Sequence, residues 1–428
     1  MAAAGGPGRR GRALLAAFLV ATVGIGAWYA VTLHVRTDLV SDEYYHVPAI
    51  RALAQGDWGP VRGLPVMPTY HWLASWLVRL WGPELWVIRL LNPLLGAITL
   101  LLFVAALRAR SVNAGANDLL RLAWQPLLLP FWVFAYTEVG SLLGVVAALN
   151  FHCRRRYTAA AGGLLAACLF RQSSVAWVPL FAALGALDLW AAQSEHVAAT
   201  RQNLRRFIVR RALPSLWAYG VLLVVAAAFF IVIGGLTTTF KPENQPRPNI
   251  AQVHGLVLTA ALIWAPIWLV QFVDFWRRVY ERALLRPAVC AAVFAAIGLL
   301  VLSYSNRNPW NMDLHFLRNW PLHAMTRCME TRYLSALVIV AAVPTFVCAL
   351  RESPARRTLS LVWMFMLLYL FPHWLVDPRY YLVPFVLVDF YTPYTPAQAR
   401  RLTIWYALLT LGVAAFILGR PGGWQGIW

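Results

Sequence analysis

Long runs of apolar residues recur along the chain, separated by shorter polar stretches. Residues 13–33, 85–107, 213–235, 254–273 and 329–350 each reach the roughly 20 mostly apolar residues that a helix needs to cross a hydrocarbon core. Shorter apolar blocks lie at 120–136, 139–152, 157–170, 173–190, 287–304, 358–371, 379–392 and 403–419. The pattern predicts an all-α protein, a polytopic transmembrane helical bundle of about 11 to 13 spans. Residues 1–428 read as one integral membrane domain with no soluble module. The first block is longer than the about 7–15 residues of a signal-peptide core, and no small-residue cleavage site closes it. It reads as a retained anchor.

The stretches between the runs differ in character. Residues 34–84 form the first long non-cytoplasmic loop, with two interfacial helices predicted over Tyr44–Gln55 and Tyr70–Trp81. The second is rich in Trp, which favours the headgroup zone. Further outer loops cover 236–253 and 305–328. Ionisable residues gather near these outer boundaries: Asp42, Glu43 and His46 after the first run, Glu138 and Arg171 at block ends, and Asp377 with Arg379 before a late run. Such residues at membrane depth are costly, so they pair, line a wet cavity or do chemistry. Asp42 and Glu43 also suit a helix N-terminus, where carboxylates are favoured. Being adjacent, they point in different directions, so at most one faces a given pocket. Glu138 and Arg171 can pair with each other, and a lone His such as His71 reads as interfacial.

Composition sharpens the membrane reading. The chain is 60% hydrophobic, against roughly 45–50% in soluble domains. The formal charge of +20 raises the question of nucleic acid, but its placement answers it. With the N-terminus inside, the predicted inner loops hold 22 of the 37 basic residues and only 5 of the 17 acids. That is the positive-inside signature, carried by Arg154–Arg156 and by Arg205, Arg206, Arg210 and Arg211. We therefore expect no nucleic-acid partner. The five Cys are scattered without metal-ligand spacing, which predicts neither a zinc site nor a disulfide framework.

Four motifs now combine. Asp42–Glu43–x–x–His46–x–Pro48 follows the first run. Tyr136–Thr137–Glu138–Val139–Gly140–Ser141 and Phe170–Arg171–Gln172–Ser173–Ser174–Val175–Ala176–Trp177 sit at later boundaries. Arg379–Tyr380–Tyr381–Leu382–Val383–Pro384–Phe385 opens a late run. In this order and at these positions the chain resembles the dolichyl-phosphate-glucose-dependent α-1,2-glucosyltransferases, which add the terminal glucose to the lipid-linked oligosaccharide for N-glycosylation. It departs from them at Gly63–Pro68 and at Asn311–Phe316, which bears on sugar and acceptor more than on reaction type.

The resemblance implies a GT-C membrane glycosyltransferase that moves a hexose from a polyprenyl-phosphate donor to a lipid-linked glycan acceptor, with inversion. It implies no cofactor and no required metal. An inverting displacement needs a base for the acceptor hydroxyl and cationic groups for the leaving phosphate. Asp42 is the leading base and Glu43 its local rival. Arg379 and Arg171 suit the phosphate, because a guanidinium matches its oxygens bidentately, and His315 can donate to it. His46, Glu138, Gln172, Tyr380 and Asp313 are assigned to sugar and acceptor binding. A bacterial member would use an undecaprenyl-type carrier at the inner membrane with its site facing the periplasm. A eukaryotic one would face the endoplasmic reticulum lumen. Another GT-C transferase, or a transporter of lipid-linked glycan, is the alternative; a transporter predicts pseudo-symmetric halves, and no internal repeat is evident.

Overall fold

A computed structural model of the protein describes residues 7–110, 115–194, 201–233, 247–281, 286–313 and 319–419. All regular elements among the described residues are helical. The chain divides into two compact units, Met1–Trp124 with Leu128–Phe240, and Gln125–Leu127 with Lys241–Trp428.

The first unit holds α1 (Pro7–Val35), α2 (Glu43–Ala54), α3 (Gly59–Arg62), α4 (Thr69–Trp81), α5 (Leu85–Arg110), α6 (Ala116–Ala123), α7 (Glu138–Cys153), α8 (Tyr157–Phe170), α9 (Trp177–Ser194), α10 (Arg201–Phe207) and α11 (Leu213–Val232). The second holds α12 (Ala251–Ile263), α13 (Ala265–Glu281), α14 (Arg286–Ser303), α15 (Pro309–Met312), α16 (Asn319–Arg327), α17 (Met329–Glu352), α18 (Arg356–Leu370), α19 (Leu382–Tyr391) and α20 (Pro396–Gly419). The helices predicted at 44–55 and 70–81 are α2 and α4. On α4, Tyr70, His71, Ala74, Ser75 and Val78 are buried while Trp72, Trp76 and Trp81 are exposed. The helical period alone separates the two faces.

The all-helical membrane bundle stands, but fewer helices cross by length than the apolar blocks suggested. Six are long and apolar enough among the described residues: Gly11–Val35, Leu85–Arg110, Gln172–Gln193, Asn203–Val232, Met329–Glu352 and Pro396–Gly419. The pair α12 and α13 passes the same test together, though bent by 96°. Pro266, in the first turn of α13, has no N–H to continue the ladder of α12. At 1.5 Å per residue α7 and α8 reach only about 24 and 21 Å, short of a core of roughly 30 Å.

Block 120–136 is not a span. Pro126 and Pro130 interrupt it, and after α6 the chain runs irregularly through a buried path, with Leu128, Phe131, Trp132 and Val133 all 0% exposed. Irregular backbone survives in an apolar interior only when its polar groups find partners. Here Asn92 Nδ2 donates to the carbonyls of Phe134 and Tyr136. Trp28 Nε1 donates to the Leu129 carbonyl at 3.1 Å.

Helices α7 and α8 form a tight antiparallel hairpin. The turn closes at Arg155, whose φ of 57° is left-handed, with its N–H donating to the His152 carbonyl at 2.8 Å. Glycines set the spacing, as small residues do between membrane helices. A Cβ on Gly144 would lie 2.4 Å from the Ala167 nitrogen, and one on Gly163 would lie 2.6 Å from the Ala148 nitrogen. Gly162 has nothing within 4 Å of such an atom. We therefore predict opposite signs for three single changes. Gly144→Ala and Gly163→Ala should each cost about 1–3 kcal/mol of stability through overpacking and lower the thermal midpoint. Gly162→Ala should gain up to about 1 kcal/mol from helix propensity and hold or raise the midpoint. Equal midpoints in differential scanning fluorimetry would refute the close approach.

Candidate functional site

The first unit collects its polar residues at one end of this hairpin. Because α7 begins at Glu138 and α8 ends at Phe170, Glu138 and Arg171 meet there, and their side chains form the expected hydrogen-bonded ion pair. Ser141 and Ser174 share a hydrogen bond of 2.7 Å beside them. Gln172 Nε2 donates to the Pro65 carbonyl at 2.7 Å, tying the hairpin to the irregular segment before α4.

The adjacent acids at the start of α2 have opposite surroundings. Glu43 is completely buried, and both its oxygens are saturated. Oε1 accepts from Arg89 Nε at 3.0 Å and from the Ala135 N–H at 2.8 Å. Oε2 accepts from Arg89 Nη2 at 2.6 Å and from the Val40 N–H at 3.0 Å. Arg89 also donates to the carbonyls of Arg36 at 2.5 Å and Asp38 at 2.7 Å. This clamp gathers the chain from Arg36 to Glu43 onto α5. Asp42, one residue earlier, is partly exposed. It occupies the N-cap of α2 but makes no side-chain capping bond there, contrary to the capping role its position suggested. Its N–H donates to the Tyr136 hydroxyl at 3.2 Å. Ser41 before it adopts a φ of 53°, a conformation that costs a non-glycine residue roughly 1–2 kcal/mol. The clamp holds that strained turn and thereby sets where Asp42 stands.

His46 lies one turn further along α2 and is buried. Its Nδ1 and His71 Nε2 are 2.8 Å apart, one imidazole donating and the other accepting. His71 is 0% exposed rather than interfacial. Burial first, and then the neighbouring His46, hold its pKa well below the ordinary imidazole value, against an opposing hydrogen bond to the Met67 backbone. Tyr70 is also wholly buried; burial, then Glu43, then Glu138 raise its hydroxyl pKa well above normal. Tyr136 packs edge-on to His46 at 6.1 Å between ring centroids. Asp42, His46, Tyr136, Glu138, Arg171 and Gln172 thus belong to one polar cluster of the first unit, assembled from α2, α4, α7 and the end of α8.

In the second unit, a short 3-10 turn over Pro378–Tyr381 leads into α19. Asp377 caps it, accepting from the Arg379 N–H at 3.1 Å, and its other oxygen lies 2.8 Å from Arg379 Nε. The Arg379 guanidinium lies 5.7 Å from the Tyr380 ring centroid, and Tyr380 packs on His373 at 4.4 Å. Asparagines fix the approach to this turn. Asn311 pairs with both the N–H and the carbonyl of Val376, at 2.9 and 2.8 Å. Asn319 holds the carbonyl of Asp313 at 2.7 Å. Asp313 therefore lies beside the segment that leads to Arg379, while His315 falls outside the described residues. Among the described residues no three His, Cys, Asp or Glu side chains are grouped to hold a metal ion.

Sequence reasoning overlooked Arg89 and Asn319, read His71 as interfacial, and gave Asn311 no structural role. A signal for Arg89 existed: an ionisable residue inside the apolar run 85–107 needs a partner. Nothing local pointed to Glu43, which is 46 residues away.

Helices of this length and apolarity, carrying carboxylates and arginines at their ends, define an integral multi-pass membrane protein. The chain belongs to the DIE2/ALG10 family, whose model matches residues 36–390. It is accordingly a membrane glycosyltransferase that uses a lipid-linked donor. Among solved structures it is similar to crystal structures of ArnT from Cupriavidus metallidurans, in the apo state at 16% identity and bound to undecaprenyl phosphate at 15%. Each comparison covers 95% of this chain and 78% of the other, with a TM-score of 0.41. Comparison with curated proteins returns no match.

Proposed function

We propose that the protein transfers glucose from a polyprenyl-phosphate donor to a lipid-linked glycan acceptor by a single inverting displacement, forming an α-1,2 linkage, with Asp42 as the general base. The observation that supports this most is the division of labour between the two adjacent acids. Glu43 has all its acceptor capacity committed to Arg89 and two backbone amides. Asp42 keeps access to solvent at the tip of a clamped, strained turn. A base must reach a substrate proton, and of these two acids Asp42 is the one with solvent access. Arg171 is assigned to the donor phosphate or to pairing with Glu138, and His46, Glu138 and Gln172 to sugar hydroxyls. Purified protein offered a panel of radiolabelled polyprenyl-phosphate hexoses should transfer glucose to a lipid-linked glycan. Transfer of another hexose would reassign the sugar. Use of a nucleotide sugar in place of every lipid donor would overturn the reading.

Arg379 is the proposed phosphate ligand of the second unit, aimed by Asp377 from its Nε side. Arg379→Lys keeps the charge but loses the planar fork, so kcat/KM for the donor should fall about 10-fold or more, equivalent to about 1.4 kcal/mol. Wild-type kinetics in this variant would remove Arg379 from the reaction.

We also propose that the cluster at Asp42 faces the periplasm, or the lumen in a eukaryotic cell, from the arginine asymmetry. In sealed cells of a cysteine-free background, a membrane-impermeant thiol reagent should label a cysteine placed at Asp57 and spare one at Arg206. The reverse pattern would invert the orientation.

A further inference from the structure

The opposite end of the α7–α8 hairpin carries a second feature, separate from the cluster at Asp42. An open cleft of about 730 Å³ lies where the hairpin turn meets the end of α9 and the start of α11. Its lining includes Arg155, Arg156 and Thr158 from the turn and the start of α8, Leu189 from α9, and Pro214 and Ser215 from α11. Arg155 and Arg156 are exposed. Arg205, Arg206, Arg210 and Arg211, on the turns that lead into α11, are exposed as well. The two charged residues of the lining are both cationic, with hydroxyls at Thr158 and Ser215 as further donors, while the nearby carboxylate of Asp188 is turned to His152 at 3.1 Å. Its size falls within the range of roughly 300–1,000 Å³ typical of small-ligand sites.

The apolar surface beside it says which kind of anion fits. Along α11, Leu213, Trp217, Val221 and Val224 are all exposed, at 61%, 56%, 50% and 69%. Their spacing of four, four and three places them on one helical stripe, bordered at its start by the exposed cleft residue Pro214. A cationic recess that opens onto an apolar stripe matches a molecule with a phosphate head and hydrocarbon tails. A free phosphate or nucleotide would leave the stripe unused.

We propose that this cleft is a binding site for an anionic phospholipid, with the headgroup phosphate held by Arg155 and Arg156 and one acyl chain lying along the exposed face of α11. Basic pockets between membrane helices on the positively charged side suit this chemistry. The positive-inside arginines of this turn then hold a particular lipid in addition to setting topology.

The test is native mass spectrometry of the full chain exchanged into phosphatidylglycerol, phosphatidylcholine or inorganic phosphate. The wild-type protein should retain one phosphatidylglycerol and shed phosphatidylcholine. Arg155→Asn with Arg156→Gln should weaken retention by about 30-fold, the effect of two interfacial arginines. Asn suits the left-handed backbone at Arg155. Arg155→Lys with Arg156→Lys keeps both charges and should keep the lipid, which separates binding from folding. Arg356→Gln with Arg357→Gln removes the same charge from exposed positions in the second unit and should have no effect. Equal lipid loss in that control, equal retention of phosphatidylcholine, or displacement of the lipid by 10-millimolar-range inorganic phosphate (about the scale of a weak free-anion site) would each overturn the assignment.

Discussion

Asp42→Asn is expected to cut turnover by about 10²–10⁴-fold, the usual worth of a positioned general base. The amide keeps the size and most of the hydrogen-bonding capacity of the carboxylate but cannot accept the acceptor's proton. Folding should survive, because the turn is held by Glu43 and Arg89. Donor binding should survive for the same reason. The loss should thus appear in kcat, with the donor KM little changed. The pH profile gives a second readout. The wild-type rate should fall with a slope near one on the acid side as the base is protonated, and that limb should be absent from whatever activity Asp42→Asn retains. If the variant keeps more than a tenth of wild-type transfer, the base lies elsewhere, with Asp313 and Glu138 the next to test.

Glu43→Gln is expected to fail in a different way. Each oxygen of Glu43 accepts two N–H groups. Whichever way a glutamine amide is turned, its NH₂ faces donors, and Arg89 is left as a buried cation without its counter-charge. Removing one partner of a buried ion pair costs about 3–5 kcal/mol. Glu43→Gln and Arg89→Met should therefore both lower the thermal midpoint and the yield of monodisperse protein. Turnover per folded molecule should fall less than in Asp42→Asn. The double variant Glu43→Leu with Arg89→Met should be less destabilised than the sum of the single changes, because neither charge is then stranded. Strict additivity in that cycle would mean that the pair is not coupled. A stable Glu43→Gln protein without activity would move the base from Asp42 to Glu43.

The sequence alone determined the membrane class, the helical architecture, the arginine asymmetry and the short helices between the first two long apolar runs. These are local properties. Apolar runs, helical periodicity and the exclusion of charge from the bilayer can all be read within a window of about 20 residues. It also brought forward Asp42, Glu43, Glu138, Arg171 and Arg379, since charge near membrane depth is conspicuous wherever it occurs. Only the tertiary structure gave Asp42 and Glu43 different surroundings. That difference turns on Arg89 and on the Ala135 amide, 46 and 92 residues away, and no local pattern encodes which distant group a carboxylate will meet. The same holds for His46, whose partner His71 had looked interfacial, and for block 120–136, which is as apolar as a span but is a buried irregular path held by Asn92 and Trp28. Hydropathy reports how much a segment gains by leaving water. Whether it then faces lipid as a helix or protein as a loop depends on whether neighbouring side chains can satisfy its backbone, and packing settles that.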